Sequence, residues 1–117
     1  MDGALLHLTP LAHQIATRLR AEFPEEEAEY GDAGLEWCVH DNRWLLGWAA
    51  EAEELGQHHF DDNVRWLAGL LAARNYPLER LARDLEIAAD LTGDHAALSA
   101  TLLGGAEIVR RLSLIHI

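Results

Sequence analysis

Apolar residues recur along this chain at intervals of three and four, and each recurring stretch is closed by a proline, a glycine or a capping side chain. Thr9 followed by Pro10 predicts a helix start, with Leu11, Ile15 and Leu19 then aligned on one face beside Ala12 and Ala16. Pro24 disfavours helical geometry at Phe23 and ends that helix. After an acidic turn with Gly31 and Gly34 as breakers, a second helix is predicted from Gly34 to Leu55, stopping at Gly56. It is apolar on two sides: Trp37, Trp44, Trp48 and Leu55 form one stripe, and Leu35, Val39, Leu46, Ala49 and Ala50 form another. A helix of that kind is expected to be central, packed between neighbours. A third helix, near Asp61 to Arg74, carries Phe60, Val64, Leu67 and Leu71 inward with Trp66 to one side, and Asp61 or Asp62 as its cap. Asn75 suits a left-handed cap, and Pro77 opens a fourth helix with Leu78, Leu81, Leu85 and Ala88 inside. Gly93 ends it, Asp94 caps a fifth, and Leu98, Leu102, Gly105, Val109 and Leu112 align there. Gly104 and Gly105 each weaken that helix by about 1 kcal/mol relative to Ala unless a neighbour packs closely against them.

The pattern contains no strand-like alternation, no Asn-Gly hairpin and no repeat. It therefore predicts an all-α chain of about five helices in a compact, mostly antiparallel bundle with a central Trp-rich helix, one domain over residues 1–117. Trp66, Ile87, Leu91 and Ile108 lie off the inward stripes and are expected to form its exposed apolar surface. The last six residues, Leu112–Ile117, read like a translated sequencing adapter, which would make that tail non-native and the reading frame truncated.

Charge narrows the partners. Nine arginines, no lysine and 20 carboxylates leave a net charge of −11, which argues against a nucleic-acid surface, since phosphate binding needs clustered positive charge. The acidic run Glu25, Glu26, Glu27, Glu29 and Asp32 reads as a solvated face or helix start. Lysine-free, Ala-, Leu- and Arg-rich composition fits a GC-rich bacterial genome. One cysteine, Cys38, forms no internal bridge, no signal peptide is visible, and no segment is apolar for long enough to cross a bilayer. The chain reads as soluble and cytoplasmic.

Asp41 is the residue that stands out. It falls on the tryptophan stripe, one turn from Trp37 and Trp44 and two from Trp48. A carboxylate among indoles is costly unless it accepts hydrogen bonds. Two roles are open: a structural hub that draws in Arg65, Arg74 or Arg83, or a ligand-facing acid with a raised pKa in a partly dry pocket walled by Trp37, Trp44 and Trp48. The first is the more usual fate of such a group.

Other constellations are weaker. His40–Asp41 matches the dipeptide of the HD-type metal-dependent phosphohydrolases, with His13 and Asp84 or Asp90 cast as further ligands. A His-Asp pair is, however, expected by chance in a chain with seven histidines and eight aspartates. His58, His59, Asp61 and Asp62 match no closed metal-site spacing. Cys38, flanked by Glu36 and Asp41, reads as packed core.

From Cys38 to Leu91 the order of Cys38, Asp41, Trp44, Leu46, Trp48, Ala50, Ala52, Gly56, Phe60, Val64, Trp66, Leu70, Leu71, Arg74, Pro77 and Leu85 resembles a helical accessory domain of bacterial signalling proteins. That domain often precedes a cobalamin-binding domain; Leu45 stands where it carries a histidine. The resemblance implies a non-catalytic regulatory or sensory module, acting through an adjacent domain or as a homodimer. It further implies no cofactor held by this chain alone, with cobalamin covered by it when a downstream domain holds the corrin. Trp37, Asp41, Trp44 and Trp48 are the expected ligand contacts, and neither nucleic acid nor membrane is an expected partner. The alternative is the HD-type hydrolase centred on His40–Asp41.

Overall fold

A computed structural model describes residues 2–115, with side chains from Leu8 onward, as five helices: α1 (Asp2–Glu22), α2 (Glu25–Leu55), α3 (Gln57–Ala73), α4 (Leu78–Leu91) and α5 (Ala96–Ile115). The all-α prediction holds, and no strand occurs among the described residues. None of the described helices is long and apolar enough to cross a membrane. Of the adapter-like tail, Leu112–Ile115 continue α5, and His116 and Ile117 lie outside the described residues. The chain forms two compact units, residues 1–47 and 48–117, whose boundary falls within α2.

In the first unit, α1 begins at Asp2 and not at Thr9, so Pro10 lies inside the helix. A proline there removes its own N–H from the ladder, and the leucines and alanines around it carry the helix through. Ala12, Ile15, Ala16 and Leu19 are buried, the face the period predicts. The chain leaves α1 at Phe23–Pro24: Phe23 N–H still reaches the Leu19 carbonyl at 3.0 Å, and Glu26 N–H bonds the Phe23 carbonyl at 3.0 Å. Glu25, Glu26 and Glu27 then form the first turn of α2, where carboxylates complement the helix dipole. Glu26 is buried, which corrects its reading as part of a solvated run. At Gly31 the backbone leaves helical geometry, with φ 64 and ψ −157, so α2 is two helical segments meeting at a kink at this predicted breaker, in a conformation that a Cβ would strain. Gly34 follows inside the helix, where a Cβ would collide with Tyr30 Cβ and sit 3.5 Å from Arg20 Nη2.

The two-sided reading of α2 is corrected. Val39, Asn42, Leu45, Leu46, Ala49 and Ala52 are buried, whereas Ala50 is exposed and Leu35 half-buried. On the tryptophan stripe, Trp37, Trp44 and Leu55 face solvent. Periodicity gives two candidate faces, and one is buried. Asn42 sits on it because its amide donates to the Cys38 carbonyl at 2.9 Å, one turn back.

The second unit runs up, down, up, down. The end of α2 reverses at Gly56, whose φ of 92 lets the chain turn within one residue, and α3 starts at Gln57. Asp61 and Asp62 are therefore inside α3, not at its cap. The hairpin is held by edge-to-face Trp48 and Trp66 rings, 6.5 Å apart, and by His59 Nε2 at 3.3 Å from Glu51 Oε2. At the end of α3, Asn75 takes the predicted left-handed conformation (φ 62), and Tyr76 N–H bonds back to the Leu71 carbonyl at 2.9 Å. Pro77 then leads into α4.

Helix α4 buries Leu78, Leu81, Leu85 and Ala88 as predicted, and also Ile87, Ala82, Ala89 and Asp84. The surface position expected for Ile87 is thus corrected: the buried band on this helix is wide enough to take it in. Leu91 and Ile108 are half-buried, so of the four expected surface residues only Trp66 is exposed. Asp94 precedes α5 by one residue more than a cap would. Helix α5 lies antiparallel to α4, joined by Ser99 Oγ donating to the Ala89 carbonyl (2.8 Å) and by the Arg110 guanidinium on Glu86 (2.9 and 2.8 Å). It runs beside α3 in the same direction, with Gln57 Nε2 on the Thr101 carbonyl and Phe60 against Gly105.

Candidate functional site

Of the four residues singled out from the sequence, Trp37, Asp41 and Trp44 lie in the first unit and Trp48 in the second. Trp37 is 60% exposed and Trp44 48%, so the expected dry cleft between indoles is replaced by a solvent-facing aromatic surface on α2. Asp41 is half-buried, its side chain 30% exposed. In the second unit, Arg65 lies 3.3 Å from Asp62 and Arg83 3.5 Å from Glu86. Trp48 is half-buried and belongs to the second unit, against Trp66.

The residue that organises the first unit's aromatic surface is His40, which the sequence marks only as half of a metal motif. Helical spacing puts positions three and four apart side by side, and His40 is three residues from Trp37 and four from Trp44. Its ring meets Trp37 edge-on at 5.3 Å and Trp44 at 6.3 Å. The Trp44 indole N–H donates to His40 Nε2 at 3.2 Å, and His40 Nδ1 faces Asp41 Oδ1 at 3.4 Å. The result is a small ordered array, Trp37–His40–Trp44, with Asp41 as its polar edge.

This arrangement gives His40 and Asp41 to each other and to an indole. Among the described residues no group of three or more His, Cys, Asp or Glu side chains converges well enough to hold a metal ion. The loop candidates are likewise dispersed: His59 faces Glu51, Asp61 accepts from Gln57 Nε2 at 2.8 Å, and Asp62 pairs with Arg65. Cys38 is half-buried, with its sulfur 3.5 Å from Asn42 Nδ2. In the second unit an open cleft of about 380 Å³ lies at the turn between α3 and α4, lined by Ala72, Asn75, Tyr76, Pro77, Leu78, Glu79 and Ser113. Among the described residues of its lining, Glu79 carries the charge, and Asn75, Tyr76 and Ser113 are polar.

The exposed array was legible in one respect and missed in another. The i, i+3 and i+7 spacing of Trp37, His40 and Trp44 is plain in the sequence, but that spacing is the same whether the face is inside or out. Comparison with family models, with curated proteins and with solved structures gave no match.

Proposed function

We propose that this chain is a non-catalytic regulatory module that works by contact with an adjacent domain or a second copy, and that the Trp37–His40–Asp41–Trp44 surface of α2 is its contact face. One observation carries the reading: two indoles are held in order by a histidine while more than half or nearly half of each faces water. An indole exposes up to ~250 Å², so leaving half of it in water forgoes roughly 3 kcal/mol of burial at about 25 cal/mol per Å². Exposed aromatics of that size mark surfaces that other molecules cover. A half-buried single cysteine accords with a reducing, cytoplasmic setting.

A finer form of the proposal has the face cover a flat ligand, and the resemblance over Cys38–Leu91 makes a corrin the first to try. In that form Trp37, Asp41 and Trp44 make the contact; Trp48, paired with Trp66, is left out of it. Two measurements test the proposal. Replacing both indoles (Trp37→Ala with Trp44→Ala) should leave the urea midpoint nearly unchanged, since exposed side chains contribute little to folding. Collapse of the fold would instead make the indoles structural and end the contact-face reading. For the finer form, hydroxocobalamin should quench tryptophan emission saturably in the parent chain and not in the double variant; equal quenching in both would remove the corrin.

A further inference from the structure

We infer that the occupant of this face is an arginine-bearing segment of a partner protein, a reading that rests on the contact face proposed above. Charge and ring chemistry point the same way. Indole is the best side-chain acceptor for a cation lying over its face, and a guanidinium also stacks on it through its own plane. Trp37 and Trp44 offer two such rings on one side of α2, spaced by His40. His40 Nε2 accepts the Trp44 N–H and so holds that ring in place.

Two carboxylates lie next to the array along the helix. Asp41 lies at the edge of the array and Glu36, next to Trp37 in the chain, is exposed. Over residues 25–47 there are seven carboxylates and a single arginine, Arg43, which is half-buried. A guanidinium seated on either indole would find an acidic acceptor within the same turn of helix, matching its forked donors to a carboxylate. The same charge disfavours the other occupants. A second copy would bring −11 against −11 and the same acidic stretch against itself. Nucleic acid and anionic lipid surfaces are repelled for the same reason.

The test titrates the full chain with octa-arginine, octa-lysine and octa-glutamate as probes, read by calorimetry at near-physiological salt. Octa-arginine should bind at least tenfold more tightly than octa-lysine, and octa-glutamate should not bind. Trp37→Ala with Trp44→Ala should weaken octa-arginine at least tenfold, Trp37→Phe with Trp44→Phe by less, and Trp66→Ala not at all. Asp41→Asn should weaken it several-fold. If octa-arginine binds the parent and the folded double-alanine variant equally, attraction is by net charge alone and the arginine-bearing partner is refuted, while the contact face stands. If the double-alanine variant unfolds, the contact-face reading falls and this inference falls with it.

Discussion

Substituting alanine at Gly105 adds one methyl group, and the structure dictates what that methyl meets. The new Cβ would lie 2.5 Å from Phe60 Cε2, 3.3 Å from Cζ and 3.4 Å from Cδ2. Carbon atoms rest at about 3.5–4.0 Å, so the ring has to retreat by roughly 1 Å. Phe60 is fully buried in α3, with no exposed side toward which to swing. Alanine returns about 1 kcal/mol of helix propensity relative to glycine, and overpacking a filled core costs about 1–3 kcal/mol. With an enclosed aromatic ring the upper part of that range applies, so Gly105→Ala should destabilise the protein by a net 1–2 kcal/mol or so.

Two other glycines provide the controls. Gly69 in α3 is exposed, and a Cβ added there would meet nothing within 4 Å, so Gly69→Ala should gain close to the full propensity difference, about 1 kcal/mol. At Gly104 the nearest atom is Gln57 Nε2 at 3.0 Å, the end of a flexible side chain, and the gain should be offset to near zero by loss of its hydrogen bonds. Urea unfolding followed by far-UV circular dichroism reads all three, and a change of 1 kcal/mol corresponds to a shift of roughly 3–6 °C in Tm for a chain of this length. The Phe60→Leu change should be less costly in the Gly105→Ala background than alone, because it relieves the collision. A Gly105→Ala protein as stable as its parent, or one that moves in the same direction as Gly69→Ala, would refute the packing of Phe60 in α3 on Gly105 in α5.

Two further outcomes are expected. The two hydrogen bonds from Arg110, aided by Arg83, hold the Glu86 carboxyl below its ordinary value of 4.5 against the opposing effect of burial. A carboxyl whose folded pKa is depressed stabilises the fold above its unfolded pKa and loses that contribution as pH falls through the folded one. Glu86→Gln should therefore cost up to about 1 kcal/mol at neutral pH, the scale of a largely solvated pair, and the gap to the parent should close in acid titrations below pH 4.5; a gap unchanged through that range would show the pair to be inert. At the α3–α4 turn, Asn75→Ala should cost about 1 kcal/mol and Asn75→Gly nothing, because a Cβ is strained at φ 62 and glycine is not. Equal thermal midpoints for the two variants would contradict the left-handed cap.

What could be read from the sequence were the features that depend on a few neighbouring residues. A helix closes its hydrogen bonds within four positions, so five helices, the stop before Pro24, the left-handed Asn75 and the entry at Pro77 all follow from local chemistry. The inward stripe of α4, Ile15 and Leu19 in α1, and Leu102, Gly105 and Val109 in α5 follow from the same period, while Leu11, Leu98 and Leu112 are half-buried. Local chemistry reached less far at the helix starts: α1 runs upstream through Pro10, and α3 opens at Gln57 ahead of the aspartates.

Burial was decided elsewhere. On α2, apolar residues on two flanks satisfy the helical period equally, and only the packing of distant segments selects the flank with Val39, Leu45, Leu46 and Ala49 and leaves Trp37 and Trp44 in water. The same long-range packing admits Ile87 to the core of the second unit and seats Phe60 on Gly105, while Asn42 is tolerated inside because its amide has a carbonyl one turn away. Hydrophobic transfer grows with the area buried, but only a face that finds a packing partner in the fold can be buried at all. A stripe of tryptophans is thus visible in the sequence as a stripe, while its place at the surface is a property of the folded chain alone.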